Sequence, residues 1–318
     1  MIHLRLIVPF TVTEHVLHAL RDDPRVTHLS VLRGAGVEPE GDVVSCDVAR
    51  EATSAVLDLL RAAGVDEHGA IALHEIDAAP THAAHLAEQA APGAPDDGIV
   101  WELVLDRAAG GARTSWAFYS FLTVACLIAA IAVLTDSPIL VVGAMVIGPE
   151  FGPVAAMAVG LVFGRGRLVR DGAALLVTGF ATAIAVTTLA SLCAAWAGWA
   201  SVEQLSGAHP LTGFIWRPDH WSVVVALLAG AVGALSITSG ASNALVGVFI
   251  SVTTVPAAGN LGLGIALWDP REITGSLTQL GVNLAGMLIA AVLVLGVQRV
   301  LSARLRAEPP RRSARPTA

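Results

Sequence analysis

The residues of this chain best placed to do chemistry sit where charge and polarity are costly. Glu150 lies inside Gly148-Pro149-Glu150-Phe151-Gly152-Pro153, a hexad that interrupts an apolar run. It is the only acid within such a run. A carboxylate at that depth costs about 3 kcal/mol or more, so it faces a cavity, takes up a proton or holds a cation. A second interruption reads Thr253-Thr254-Val255-Pro256, followed by Gly259 and Asn260. Lipid cannot hydrogen-bond a broken backbone, so breaks of this kind survive where they line a cavity or pack on protein. Asn243, Asn260 and Asn283 are the other polar groups able to reach a common site. Hydrogen bonding between helices accounts for each of them equally well. The expected site is an ion or solute cavity built from both breaks.

Other chemistry finds little support. Eight of the ten histidines fall in residues 1–85, and His15/His18 form one i, i+3 pair. His82-x-x-His85-x-x-Glu88 would place three weak metal ligands on one helical face, although a solvated polar helix has the same composition. There is no nucleophile–base motif, no H-E-x-x-H and no phosphate loop. Gly259-x-x-Gly262-x-Gly264 lies in an apolar run and follows no strand, so it is no dinucleotide loop. The expectation is a non-enzyme with no cofactor. Cys46, Cys126 and Cys193 form no C-x-x-C pair, which excludes a disulfide framework and a thiolate zinc site.

The elements that position these residues divide the chain. Mean hydropathy is +0.68 and only 14% of the 318 residues are charged, far too apolar for a soluble protein of this length. Residues 1–98 hold 6 Arg against 16 acids, whereas residues 99–318 hold 13 Arg against 10. An acidic soluble half argues against nucleic acid or anionic lipid as its partner. Its pattern reads βαββαβ, the ferredoxin-like order, over residues 1–80. Strands are expected at Ile2–Val8, at Val26–Leu32 ending at Gly34-Ala35-Gly36, at Val43–Val48 and at Ile71–Ile76. One helix is capped by Thr13, and another runs from Thr53 to Ala63 and closes at Gly64. Residues 81–113 read as a linker, then a helix from Ile99 to Ala108 capped by Asp97. That helix either lies on the membrane surface or docks on the soluble domain.

Charge-free windows in residues 114–298 supply six spans of membrane-crossing length, at about 116–134, 138–163, 173–199, 221–237, 243–267 and 273–297. Arg107 and Arg113, then Arg165, Arg167 and Arg170, then the basic tail 299–318 all fall on one side of such a bundle. The positive-inside rule makes that side the cytoplasm, in a plasma-membrane protein with both termini inside and Ala200–His220 outside. The tail is expected to be disordered. Trp101 and Trp116 would lie at the inner interface, and Trp196, Trp199, Trp216, Trp221 and Trp268 at the outer one.

Spans one to three and four to six read as two copies of one unit. Val141-Val142-Gly143-Ala144-Met145-Val146-Ile147 compares with Leu245-Val246-Gly247-Val248-Phe249-Ile250-Ser251, and the second span of each triplet is the broken one. Three crossings repeated once must invert across the bilayer. Leu134-Thr135-Asp136-Ser137, Val142–Pro149, Gly152-Pro153 and Ser251–Ala258 resemble the signatures of an uncharacterised bacterial family of hydrophobic membrane proteins, domain of unknown function 389. The resemblance covers roughly residues 113–268 and implies no activity. Many members of that family carry an apolar residue where Glu150 stands, which implies that Glu150 is not essential to the family's common role. The resulting expectation is a secondary transporter or permease for an unidentified small solute or ion, with a regulatory or self-associating soluble domain. A channel on the same bundle, or a tethered sensor, remains the alternative.

Overall fold

The computed structural model describes residues 1–91, 98–205, 207, 210–239 and 254–306. The described chain forms two compact units. Residues 1–103 with the chain from Arg299 onward make the first, and residues 104–298 the second.

The first unit is built on four antiparallel strands, β1 (Ile2–Val8), β2 (Val26–Val37), β3 (Glu40–Val48) and β4 (Ala70–Glu75), in the spatial order β2-β3-β1-β4. Alternation puts Ile2, Leu4, Leu6 and Val8 on one face of β1, all without solvent contact. Helices α1 (Thr13–Asp22) and α2 (Thr53–Ala62) cover that face through Val16, Leu17, Leu20, Val56, Leu57 and Leu60. Gly64 ends α2 in the left-handed region (φ 74°), as the closing glycine of a helix should, and the single turn α3 (Val65–His68) follows. Thr13 is the first helical residue rather than the cap, and its hydroxyl donates to the Pro9 carbonyl at 3.1 Å.

Strand β2 runs past the glycines expected to end it. The register shifts between Leu32 and Gly36, and Gly34 takes a positive φ while its N–H donates to Asp42 Oδ1 at 2.8 Å. The glycines thus absorb a bulge inside the ladder rather than close it. Residues read as linker are helical in α4 (His82–Ala90), capped by the Thr81 hydroxyl. The helix α5 (Trp101–Gly111) begins in this unit. Val100 joins the sheet's core, and Trp101 is buried with its indole N–H donating to Ser302 Oγ at 3.1 Å. This corrects the interfacial placement of Trp101: a paired, enclosed indole faces neither lipid headgroups nor water. Asp97, its expected cap, lies outside the described residues.

The second unit is helical. It contains α6 (Trp116–Leu134), α7 (Pro138–Ile147), α8 (Phe151–Val162), α9 (Gly166–Trp196), the short α10 (Val202–Leu205), α11 (His220–Ser239), α12 (Thr254–Leu267) and α13 (Pro270–Arg306), whose last turns belong to the first unit. Four of these, α6, α9, α11 and α13, are long and apolar enough to cross a membrane, and α7 with α8 makes a fifth if that bent pair is one span. The chain is therefore a membrane protein by length and composition. The bend is 52°, at the Gly-Pro-Glu hexad, where Pro149 cannot donate a backbone bond. The expected fifth span, 243–267, is described only from Thr254 onward. That described part is 14 residues long and buried along almost its whole length.

Apolar residues face outward along the long helices, as lipid contact requires. The tryptophans at their ends are the most open, with Trp116 90% and Trp196 92% exposed. Ring-bearing ends of this kind match an aromatic belt. Loop residues 210–219 are held to the turn after α6. Asp136, itself at φ 46°, accepts from Thr212 N (2.9 Å) and Thr212 Oγ1 (2.8 Å), and Ile215 beyond is fully buried.

Candidate functional site

Helix α12 is the centre of the second unit, and its glycines explain why. Each of three faces meets a neighbour too closely for a side chain. A Cβ on Gly259 would lie 2.5 Å from the Cys126 carbonyl oxygen on α6. One on Gly262 would lie 2.9 Å from Thr187 on α9, whose neighbour Thr188 donates from Oγ1 to the Gly262 carbonyl at 3.2 Å. One on Gly264 would lie 3.2 Å from Glu272 Cβ on α13. Small residues let helix backbones approach to this degree in lipid. The Gly-x-x-Gly-x-Gly run is thus a packing device for a short helix enclosed by α6, α9 and α13.

The same enclosure brings polar groups together. Asn260 is fully buried and donates both amide hydrogens, to Glu272 Oε2 at 2.6 Å and to Ser276 Oγ at 2.8 Å. Further along α13, Gln279 Nε2 stands 3.5 Å from Asn283 Oδ1, and both side chains are buried. Glu272, Ser276, Gln279 and Asn283 are spaced 4, 3 and 4 residues apart, which places them on one helical face. At 1.5 Å per residue they form a polar file about 16 Å long, roughly half the thickness of a hydrocarbon core. Asn260 Oδ1, Gln279 Oε1, Asn283 Nδ2 and Thr187 Oγ1 are buried side-chain atoms with no hydrogen-bond partner among the described residues.

Glu150 is also fully buried, at the N-terminal end of α8. It lies within electrostatic reach of Cys126, the residue whose carbonyl abuts Gly259. Glu150 at the first break and Gly259 on α12 therefore approach one point of α6, and Val154, Val255, Ala257 and Ala258 share a core with Cys126. Thr254, Pro256 and Gly259 are buried in that packing, as is Pro153. Gly148 and Pro149 are half-buried at the bend, and Thr253 and Asn243 lie outside the described residues. A cleft of about 210 Å³ does open beside the first break, lined by Arg107, Phe151, Gly152, Ala155, Gly233, Ser236 and Ile237. Glu150, Pro256, Gly259 and Asn260 do not line it. The phenyl ring of Phe151 packs directly on Gly233, and Arg107 donates to the Ile237 carbonyl at 3.1 Å.

Asn260 and Asn283 stand out in the sequence, whereas Glu272, Ser276 and Gln279 do not. Glu272 precedes the charge-free window. The signal available was the 4-3-4 spacing of polar residues along one face of the last helix.

In the first unit, His82 and His85 are exposed, and Glu88 turns to the terminal amine of Met1 at 4.0 Å. No group of three or more His, Cys, Asp or Glu arranged to hold a metal occurs among the described residues. His3 and His28 both hydrogen-bond Asp47, at 2.6 and 2.7 Å, and His28 sits at φ 49° beside a bulge. Burial, reinforced by the charge of Asp47, pushes the Cys46 thiol up to about 12, which makes it inert.

Comparison with known proteins adds a family without an activity. Over 173 residues the chain is 24% identical to an uncharacterized protein of Methanocaldococcus jannaschii, covering 54% of this chain and 51% of that protein. The chain thus spans about half the length of that relative. No solved structure matches. Residues 145–289, which hold the first break, α12 and the polar file of α13, match the family described as Domain of unknown function (DUF389), the resemblance that the two motifs carry.

Proposed function

We propose that the chain is a secondary transporter or permease in the plasma membrane, built from two inverted three-helix units with a cytoplasmic regulatory domain. The observation that carries this reading is a recurrence of structure at a shift of 104 residues. Helix α6 starts at Trp116 and α11 at His220; α9 starts at Gly166 and α13 at Pro270. The buried faces recur with the starts. Leu122, Ala125, Cys126, Ala129 and Ala130 fall on Ala226, Ala229, Gly230, Gly233 and Ala234. Gly172, Leu175, Gly179 and Ala183 fall on Ser276, Gln279, Asn283 and Met287, buried in both copies.

The short helices α8 and α12 recur too. Helix α8 ends with Arg165 N donating to Gly160 O at 2.7 Å and Gly164 at φ 68°. Helix α12 ends with Asp269 N donating to Gly264 O at 3.0 Å and Trp268 at φ 56°. Both are closures of the Schellman type at corresponding positions. A bent pair, α7 with α8, and a short buried helix, α12, that share one core support the arrangement in which transporters hold substrate near the midplane. Three crossings per unit support inversion, and the arginine distribution supports cytoplasmic termini.

For the first unit, the strand order β2-β3-β1-β4 with two helices on one face supports a ferredoxin-like fold. Its acidic character suits a regulatory or self-associating module rather than a nucleic-acid partner.

The test is flux. Purified protein in liposomes, screened against ions and small metabolites, is expected to give saturable uptake that follows an imposed ion gradient. Uptake that never saturates would replace the carrier by a channel. Empty-liposome rates across the panel would overturn the reading.

A further inference from the structure

We propose that Asn260, Glu272 and Ser276, backed by Gln279, form a binding site for a hard monovalent metal cation, sodium in particular. The site deepens the transporter reading, since it would be where such a carrier couples to an ion gradient.

The second three-helix repeat carries polar residues that the first lacks. At the 104-residue shift, Asn260 corresponds to Ala156, Glu272 to Leu168, Ser276 to Gly172, Gln279 to Leu175 and Asn283 to Gly179. The first three-helix repeat makes the same helix contact without polarity. A Cβ on Gly172 would lie 3.5 Å from Ala156 Cβ and 2.8 Å from the Pro153 carbonyl. Packing at this contact therefore does not require the Asn–Glu–Ser cluster. A buried polar group is costly to leave imperfectly bonded, by about 1–3 kcal/mol, so a one-sided cluster calls for another reason.

Its chemistry supplies one. The oxygens of a carboxylate, an amide and a hydroxyl are the ligands of hard cations. The Asn260 amide nitrogen stands between Glu272 Oε2 (2.6 Å) and Ser276 Oγ (2.8 Å), donating a proton to each. It holds with partial positive charge the position between two oxygens that a small cation would take. Turning the amide about its last torsion exchanges Nδ2 for Oδ1, and three oxygens then face one point. Asn260 Oδ1 and Gln279 Oε1 are both buried acceptors with no hydrogen-bond donor among the described residues. Gln279 lies one turn beyond Ser276 on the same face.

The count of lone pairs favours a metal ion over a proton. A proton on Glu272 would serve one of these acceptors, whereas a sodium ion takes several oxygens at once. The charge favours a monovalent ion. Glu272 is the one carboxylate in the cluster and sits in the first turn of α13, where the helix dipole favours an anion. A single carboxylate matches one positive charge better than two. Access is short, because Glu272 lies one turn from Trp268, which is 80% exposed at the end of α12.

The experiment is thermal unfolding of the full-length protein in detergent at pH 8, titrating NaCl against choline chloride at constant ionic strength, with 22Na+ binding to the same preparation. A saturable rise in melting temperature with sodium and stoichiometric 22Na+ binding are expected. Glu272→Gln should melt like wild type in choline and lose the sodium response. Ser276→Ala should keep the response with an affinity weakened several-fold, and it serves should Glu272→Gln fail to fold. Equal melting in sodium, potassium and choline overturns the site. So does a rise that follows pH and not sodium, which would make the ligand a proton, or a larger rise with calcium, which would make it divalent. Sodium binding without flux of any solute would leave the site standing and overturn transport; flux without a sodium response would do the reverse.

Discussion

Replacing Gly259 by alanine should destabilise the membrane unit, and the amount follows from one contact. The added methyl would lie 2.5 Å from the Cys126 carbonyl oxygen, 2.7 Å from Ala129 Cβ and 3.1 Å from Ala130 N. Ordinary carbon contacts begin near 3.4 Å, so α12 must withdraw from α6 by roughly 1 Å, and a gap of that size forfeits a quarter to a half of the dispersion energy of the atoms that lined it. Overfilling a packed core in this way costs about 1–3 kcal/mol. The control is Gly281→Ala on α13, where a methyl meets nothing within 4 Å and alanine is the better helix former by about 0.5–1 kcal/mol. Melting followed by tryptophan fluorescence in detergent should place the Gly259→Ala variant roughly 2–12 °C below wild type, at about 2–4 °C per kcal/mol. Gly281→Ala should melt at or above wild type. If both variants fall together, or if Gly259→Ala is neutral, α12 is not the closely packed centre of this unit.

Four further outcomes are expected. Burial raises the Glu51 carboxyl above its ordinary value, outweighing the help of its own backbone N–H and the nearby terminal amine, so ionised Glu51 opposes folding. Stability of the first unit should accordingly fall as pH rises through the raised value, and Glu51→Gln should stabilise it at pH 7 with a gain that disappears below the usual carboxylate range, as read by chemical denaturation at several pH values. Asp136→Ala should release Thr212 from the turn after α6 and strain a left-handed residue, at a cost of about 1–3 kcal/mol, whereas Asp136→Asn, which tolerates that backbone, should cost less; protease cleavage within 200–219 reports the difference. Lipids brominated near the headgroup should quench Trp196, Trp199, Trp221 and Trp268 more than lipids brominated at the chain ends, and the reverse order would contradict an aromatic belt. Single cysteines at Asp219 and Arg167, on a background without native cysteine, should label from outside and inside intact cells respectively.

The sequence alone determined what local rules decide. Alternation in Ile2–Val8 and the 3.6-residue period in Thr53–Ala62 are short-range patterns, and each became the strand or helix it indicated. Charge-free length marked Trp116–Leu134 to the residue, because a lipid-facing helix has nowhere to place a charge. The proline hexad marked the 52° bend, since a missing donor acts wherever the chain goes. Tertiary structure alone decided which polar residues meet. Glu272 lies outside the apolar window and is ordinary in sequence; only the approach of α12 to α13, permitted by Gly264, buries it against Asn260. Trp101 reads as an interfacial ring until Ser302, 201 residues away, accepts its proton. Such pairings depend on which helix faces are turned toward each other. That is settled by close packing between distant segments, and no window along the chain contains it.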